Sequence, residues 1–324
     1  MVPERLLPLV DELGPLAERF AAVGHRLYLV GGSVRDAILG RPLESIDLDF
    51  TTDARPEDTE RLLKGWAEAV WTQGKRFGTI GAARQGRHVE ITTHRAEAYA
   101  PESRKPEVVF ADAVEADLSR RDFTVNAMAL GLPDLVLVDP FEGVADLAAH
   151  RLRTPRSPEE SFNDDPLRML RAARFIAGYG LQPEADLVEA VAKLRGRLEI
   201  VAPERLRTEF DKLLVVERPG PGLWFLVQTG LAEEFLPELP ALALEQDPVH
   251  RHKDVLAHTI AVVEKASPEK VLRLAALLHD IGKPKTRSVG PGGVSFHHHE
   301  VVGARMAEER MRALRYPVEE IAAV

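Results

Sequence analysis

Apolar and polar positions follow two rhythms along this chain, and the change from one to the other divides it. The first stretch, to about Phe20, spaces its apolar residues as an amphipathic helix does. HRLYLVGG (25–32) is an apolar run stopped by glycines, which predicts a strand entering a tight turn. SVRDAILG (33–40) follows as a short helix, with Ser33 as its expected N-cap and Gly40 as its stop. SIDLDFTT (45–52) alternates strictly and predicts a half-buried strand. RPEDTERLLKGWAEAV (55–70) has helical spacing, and GTIGAARQGRHVEITTHR (78–95) predicts a hairpin turning at Gln85-Gly86 with Val89 and Ile91 on one face. This mixed α/β unit ends near DLVLVDPFEG (134–143).

From about Asp164 the strand signals fade. LRMLRAARFIAGYG, ADLVEAVAKLRGRL and PERLRTEFDKLLVV each carry helical spacing with punctuated ends. A proline-rich boundary lies at 237–248, and beyond it KDVLAHTIAVVEKA and VLRLAALLHDIG are helical segments that carry histidines. The expectation is an α+β chain in three parts: residues 1–150, 151–236 and 237–324. No repeat at solenoid spacing appears, and GPGGVSFHHHE (290–300) reads as a Gly-rich loop.

Composition narrows the chemistry. The 324 residues include no cysteine, which excludes disulfides, thiolate nucleophiles and Cys-type zinc sites. No segment is apolar for long enough to span a bilayer, and the N-terminus lacks the apolar run of a signal peptide, so the expected location is cytoplasmic. A net charge of −9 argues against indiscriminate coating of nucleic acid. The arginines concentrated between Arg151 and Arg207 still allow a locally basic groove.

Residues two apart on a strand face the same way, so Asp47 and Asp49 share a face while Ile46, Leu48 and Phe50 take the other. Two adjacent carboxylates repel unless a cation lies between them, and hard oxygen ligands suit Mg²⁺. Such a pair is also simply the wet face of many strands. The preceding turn adds weight: Gly31 and Gly32 open a helix whose free N–H groups can hold phosphate, and Arg35 stands one turn in. The turn matches neither a Walker A loop nor a dinucleotide fingerprint. Phosphate donors beside metal ligands are the equipment of nucleotidyl transfer.

LVGGSVRDAILG followed by IDLDF resembles the first motif of the class II tRNA nucleotidyltransferase and bacterial poly(A) polymerase family, within the DNA polymerase β superfamily. SRRDFTVNAMAL (119–130), VDPFEGVADL (138–147), DDPLRMLRAARF (164–175) and PERLRTEFDKLL (203–214) resemble its second to fifth motifs, in order. The resemblance implies a polymerase-β-like head, a mixed sheet with helices, followed by an all-α neck and body. It implies two Mg²⁺ ions on Asp47 and Asp49, and a triphosphate held by Gly31, Gly32 and Arg35 with a further contact from Arg121. Asp122 and Asn126 are expected either to support the ribose or to brace the site as a buried polar network.

In the fourth motif, Asp165 and Arg168 stand three apart, which on a helix makes them surface neighbours. A carboxylate accepts from an exocyclic amino group and a guanidinium donates to a ring acceptor, a pattern that cytosine and adenine offer and guanine and uracil do not. One Asp–Arg pair can therefore select CTP and ATP without a nucleic-acid template. Arg171 and Arg174 continue the stripe, to reach phosphate or brace the pair. The family usually carries Glu before the base-reading Asp, where this chain has Asp164.

LLHDIGKPKT with upstream DVLAHT and downstream HHHEVVGA resembles the HD metal-dependent phosphohydrolase superfamily. Its matching ligands are His258, His279 and Asp280, with His299 a weaker candidate, and they imply a second divalent-metal site. No aspartate follows Glu300, where HD domains usually supply one, so the chain reads as a fragment or as carrying an incomplete HD module. The implied activity is addition of C and A from CTP and ATP to the tRNA 3′ end with release of pyrophosphate. The alternatives are a poly(A) polymerase, an HD phosphohydrolase with a binding-only head, and a non-catalytic RNA-binding protein. The choice among CCA, CC-only and A-only addition is expected to depend on the loop from Thr93 to Pro106.

Overall fold

The computed structural model describes residues 7–41, 48–98, 107–244, 254–290 and 293–324. They fall into two compact units, one of residues 1–149 with 153–157, the other of 150–152 with 158–324.

The first unit opens with α1 (Leu7–Ala21), β1 (Leu27–Val30), α2 (Gly32–Ile38), β2 (Leu48–Thr52) and α3 (Pro56–Leu63). Strands β3 (Ala69–Trp71), β4 (Thr79–Arg84) and β5 (Arg87–Thr93) follow, then a ribbon of β6 (Arg95–Ala98) and β7 (Glu107–Phe110). After α4 (Val114–Ser119) come β8 (Ala129–Leu132), β9 (Val136–Val138) and α5 (Gly143–Ala148). Seven strands form one sheet in the order β3-β4-β5-β2-β1-β8-β9, in which only β2 and β5 run parallel. The sheet is mixed, as its alternating segments require.

Register fixes which side chains meet. Ile80, Ile91, Phe50, Leu29 and Leu130 lie in one cross-strand row, each at most 2% exposed. Helices α1 and α3 pack on this side of the sheet, and α1 buries Leu13, Leu16, Ala17 and Phe20 at helical spacing. On the other face Val30 packs with Val114 and Leu118 of α4, while Asp49 and Glu90 stay exposed. That opening positions the site.

Two sequence expectations change here. The helix expected over 55–70 stops at Leu63: Gly65 takes the left-handed conformation (φ 77°), and Ala69–Trp71 then pairs with β4. The strict alternation of β2 ends at Phe50, because Thr51 and Thr52 are both buried. Thr51 donates to the Thr92 carbonyl at 3.1 Å, so its oxygen accepts from Nδ1 of His94 at 2.7 Å. The predicted hairpin turn forms at Gln85 and Gly86, both at positive φ.

The second unit begins with β10 (Arg151–Leu152), α6 (Pro158–Asp164) and α7 (Leu167–Tyr179), and β11 (Gln182–Pro183) pairs with β10. Helices α8 (Ala185–Leu194), α9 (Pro203–Leu214) and α10 (Gly220–Gln228) follow. Beyond them lie α11 (Val255–Lys265), α12 (Lys270–Leu278), α13 (Lys283–Thr286), the ribbon β12 (Ser288–Gly290) and β13 (Gly293–Ser295), α14 (His299–Ala313) and α15 (Val318–Ala323). The unit is all-α apart from two short ribbons. Helix α7 packs on α9 and α10, tightly at Gly222, where a Cβ would lie 2.5 Å from the Ala173 carbonyl and 2.6 Å from Leu213.

Gly222→Ala forces α7 and α10 apart and is expected to lower unfolding free energy by about 2 kcal/mol, read as a lower urea midpoint at unchanged slope. A second expectation concerns pH. His94 is fully buried, its Nε2 has no partner among the described residues, and burial pushes its imidazole pKa down. As pH falls below about 6.5 the unfolded chain gains a proton that the folded ring refuses, so stability should drop. His94→Phe should flatten that part of the urea-derived stability profile.

Candidate active site

Gly31 ends β1 at φ 69°, and its N–H donates to the Met128 carbonyl of the neighbouring chain segment at 3.2 Å. The positive φ favours glycine there, and a Cβ would lie 2.6 Å from Nη1 of Arg121, so a larger residue would also displace that guanidinium. Gly31, not Ser33, is the N-cap of α2, and among the described residues no side chain caps that first turn. Ser33 lies inside the helix, and its hydroxyl instead accepts the backbone N–H of Asp49 at 3.2 Å. That bond ties the glycine turn directly to the carboxylate strand. Gly40 follows the helix at φ 74°, where the sequence placed its stop.

Arg35 is only 6% exposed. Its Nε and Nη2 donate to both oxygens of Asp36 at 3.0 Å, and Nη1 donates to Oδ1 of Asn126. Asn126 in turn donates from Nδ2 to Asp122 at 2.9 Å, and Asp122 also accepts the N–H of Phe123. The side chains expected to serve phosphate and ribose thus form one buried relay, Asp36–Arg35–Asn126–Asp122. Arg121 is partly exposed over Gly31 and donates from Nη2 to Asp117 at 3.0 Å.

The third motif holds the relay from below. Asp139 accepts the N–H groups of Gly143 and Val144 at 2.7 and 3.0 Å, favourable charge at the start of α5. Asp146, fully buried, accepts from Thr124 and from Nε of Arg153, each at 2.6 Å. Thr124 opens the 3₁₀ turn that presents Asn126. Sequence reasoning missed these aspartates as braces, although their place inside a motif was visible.

Asp49 is exposed on β2, and Asp47 lies outside the described residues. Directly beside Asp49, in parallel register on β5, stands the exposed carboxylate Glu90. Paired residues of adjacent strands project on one side about 4.8 Å apart, so the two offer hard oxygen ligands together and fit a divalent cation. Glu90 was also missed. Placing Val89 and Ile91 on one face put Glu90 on the other, but no local pattern reveals that β5 lies beside β2.

In the second unit, Asp165 precedes α7 instead of sharing its helix with Arg168, since the helix starts after Pro166. Its Oδ1 accepts the Leu167 N–H at 3.2 Å, and its Oδ2 accepts from Arg205 of α9 at 2.9 Å. Arg168 donates from Nη1 to the Ser161 hydroxyl at 2.9 Å. Arg174 pairs through Nε with the buried carboxylate Glu209 and lies over the Phe175 ring at 4.9 Å. Arg171 lies near the same ring, 6.0 Å from its centroid. The fourth and fifth motifs are therefore joined by two ion pairs, Asp165–Arg205 and Glu209–Arg174.

His258, His279 and Asp280 bring ligand atoms within 4.8 Å of one another. His279 lies 2.8 Å from the Ala276 carbonyl through Nδ1 and 3.1 Å from Asp280 through Nε2, so both nitrogens face acceptors and the protonated ring donates to both. Nε2 of His299 is 3.7 Å from the other Asp280 oxygen, whereas His297 and His298 are exposed. Burial pushes the Asp280 carboxyl up, but hydrogen bonds from His279 and from Lys283 at 2.7 Å outweigh it and hold the pKa at about 2. The bond to Asp280 raises the His279 pKa. A carboxylate and neutral-imidazole nitrogens are a donor set that suits a divalent metal.

Asn126→Ala should remove the acceptor of Arg35 Nη1 and a donor to Asp122 and cost about 2–3 kcal/mol, visible as an earlier unfolding transition of the first unit by hydrogen exchange.

Comparison with known proteins identifies the family. Residues 27–153 match the "Poly A polymerase head domain", 180–242 the "Probable RNA and SrmB- binding site of polymerase A", and 255–324 the "HD domain". The chain is 39% identical over 230 residues to the CCA-adding enzyme of Streptococcus gordonii, covering 71% of this chain and 56% of that protein. It is 40% identical over 223 residues to the CCA-adding enzyme of Bacillus subtilis, covering 68% and 54%. It therefore spans little more than half the length of these relatives. The crystal structure of the Bacillus stearothermophilus CCA-adding enzyme in complex with CTP superposes with a TM-score of 0.67 at 26% identity, covering 99% of this chain and 68% of that one. Five ordered motifs, the head fold and these relatives agree: the chain belongs to the tRNA nucleotidyltransferase and bacterial poly(A) polymerase family, with an HD domain.

Proposed function

We propose that this chain is a template-independent nucleotidyltransferase that adds C and A, from CTP and ATP, to the 3′ end of tRNA and releases pyrophosphate. One observation carries the reading: the strand that presents the exposed Asp49, with Glu90 beside it on β5, is tied through the Asp49 backbone N–H to Ser33, just after the two-glycine turn at the start of α2. Acceptors for metal and donors for phosphate then occupy adjacent elements of one sheet face. The CCA-adding names of the relatives support tRNA over a poly(A) product.

Asp47 and Asp49 would hold two Mg²⁺ ions, with Glu90 beside Asp49. When bound, such ions acidify the RNA 3′-hydroxyl and neutralise charge on the triphosphate. The N–H groups of the turn and Arg121 bind the triphosphate. Arg35 fixes the turn through Asp36 and Asn126, and Asp122 keeps Asn126 in place. Asp165 accepts the exocyclic amino group of cytosine or adenine while Arg168 donates to the ring acceptor, and Arg205 orients Asp165. Arg171 and Arg174 brace this reader. Asp164, the last residue of α6, adjoins it in place of the usual Glu.

We further propose a three-part organisation, with the head at 1–150, a helical selection and RNA-binding part at 151–236 and an HD-type part at 237–324. The family matches at 27–153, 180–242 and 255–324 support these bounds. The cluster of His258, His279, Asp280 and His299 would take a divalent metal of its own. Among the described residues no helix is long and apolar enough to cross a membrane, and with a cysteine-free sequence this favours the cytosol.

The test offers each nucleoside triphosphate in turn to tRNAs ending before CCA, after CC and after CCA. CMP and AMP should enter, and UMP and GMP should not. Asp49→Ala should lower incorporation by about 100- to 1000-fold, the scale of removing a main electrostatic stabiliser of the transition state. Full activity in that variant would refute the reading.

A further inference from the structure

Helix α9 carries polar residues on two opposite faces. At about 100° per residue, Arg205 and Glu209 point one way, and Arg207 and Asp211 point about 160° away. The first pair grips the base-reading segment: Arg205 bonds Asp165 at 2.9 Å and Glu209 bonds Arg174. The second pair is gripped by the far end of the chain. Asp211 accepts the Tyr316 hydroxyl at 2.5 Å, Arg207 donates to the Arg315 carbonyl, and its guanidinium lies 5.7 Å from the Tyr316 ring centroid.

The C-terminus of α9 is held as well. Arg273, 2% exposed, donates to the carbonyls of Leu214 and Val216, to Glu217 at 3.3 Å and to Ala266 at 3.2 Å. These include orphan carbonyls of the helix end, where a cation also meets the negative end of the dipole. Arg273, Arg315 and Tyr316 all lie within the HD match. Each grips α9 through polar bonds with definite direction, which fix rotation about the helix axis better than apolar packing does.

Tyr316 is 6% exposed. Burial beside Asp211 raises its pKa and keeps the phenol a donor, and burial pushes the Asp211 carboxyl up. Asp211 is half-buried, and loss of the phenol removes one of the directed bonds that hold this face of α9.

We infer that Tyr316 is a positioning residue for nucleotide selection: through Asp211 it sets the rotation of α9, and through Arg205 that rotation sets the Asp165 carboxylate. This rests on the proposed role of Asp165 and Arg168. It assigns the HD part a function that needs no hydrolysis, that of a clamp on the base reader.

The full chain is assayed on a tRNA lacking its CCA end, with kcat/KM measured for CTP, ATP, UTP and GTP. Tyr316→Phe should lower the CTP-to-UTP ratio about tenfold, the scale of coupling within one network, while CTP turnover changes less than about threefold. Asp211→Asn, whose amide oxygen still accepts the phenol proton, should keep the ratio. In an Arg205→Ala background Tyr316→Phe should change it no further. Hydrogen exchange supplies a readout without substrate: the Leu167 amide, bonded to Asp165, should lose protection in Tyr316→Phe. A lower melting temperature with an intact ratio and intact Leu167 protection would overturn the inference alone. A wild-type chain with no preference for CTP and ATP would overturn the selection reading and the inference with it.

Discussion

A guanidinium buried beneath a two-glycine turn must have its donors answered largely inside the protein, because little of it is open to water. Arg35 meets that demand with Asp36 on two N–H groups and Asn126 on a third. Much of the head follows from it. Asn126 must sit where its oxygen can accept, so the 3₁₀ turn at Thr124–Asn126 is pinned by Asp122 on one side and by the Thr124–Asp146 bond on the other. Asp146 in turn needs Arg153, which closes the first unit on itself. Buried charges of this kind stabilise little against a well-packed apolar alternative, but removing one partner is costly. The network therefore fixes geometry more than it adds stability, and fixed geometry is what the proposed phosphate-holding role of the turn would require.

The same rule operates in the second unit with different partners. Arg174 is answered by a buried carboxylate, Glu209, and Arg273 by four backbone carbonyls. Both answers converge on α9. A helix fixed only by Leu206, Phe210, Leu213 and Leu214 could rotate a few degrees at little cost, because apolar contacts carry no direction. Hydrogen bonds at its two faces and its C-terminus remove that freedom. Each of the two units thus has a central element whose orientation is set by charge and whose core is set by area.

What the sequence disclosed was local. The strand–turn–helix at 27–38 and the hairpin turn at Gln85-Gly86 were legible because glycine, alternation and helical spacing act within a few residues. The helix expected to Val70 failed at Gly65, where backbone freedom overrode a periodicity that the next strand happened to mimic. Ser33 has the residue type of an N-cap, yet its hydroxyl took a tertiary partner in Asp49. Glu90 stayed hidden because β3 and β4 separate it from β2 in the chain, and the parallel pairing with β2 is a fact of topology. The family motifs marked Asp165 and Arg168, but the Arg205–Asp165 bond spans 40 residues and no spacing rule reaches so far.

These long-range bonds separate two tasks that motif reading merges. Chemistry at the exposed carboxylates needs open space on the sheet, so Asp49 and Glu90 lie where α4 leaves the face uncovered. Selection needs the opposite, a carboxylate whose direction is fixed tightly enough to tell an amino group from a carbonyl. Cytosine and uracil carry an amino group and a carbonyl at the same ring position, so on the proposed reading a misaimed Asp165 would blur that choice without hindering phosphate binding. The polar network of the head is self-contained within the first unit. The reader cannot orient itself: Asp165 precedes the first turn of α7, where only one amide of its own helix reaches it. Its second anchor has to come from α9, and α9 has to be held from beyond.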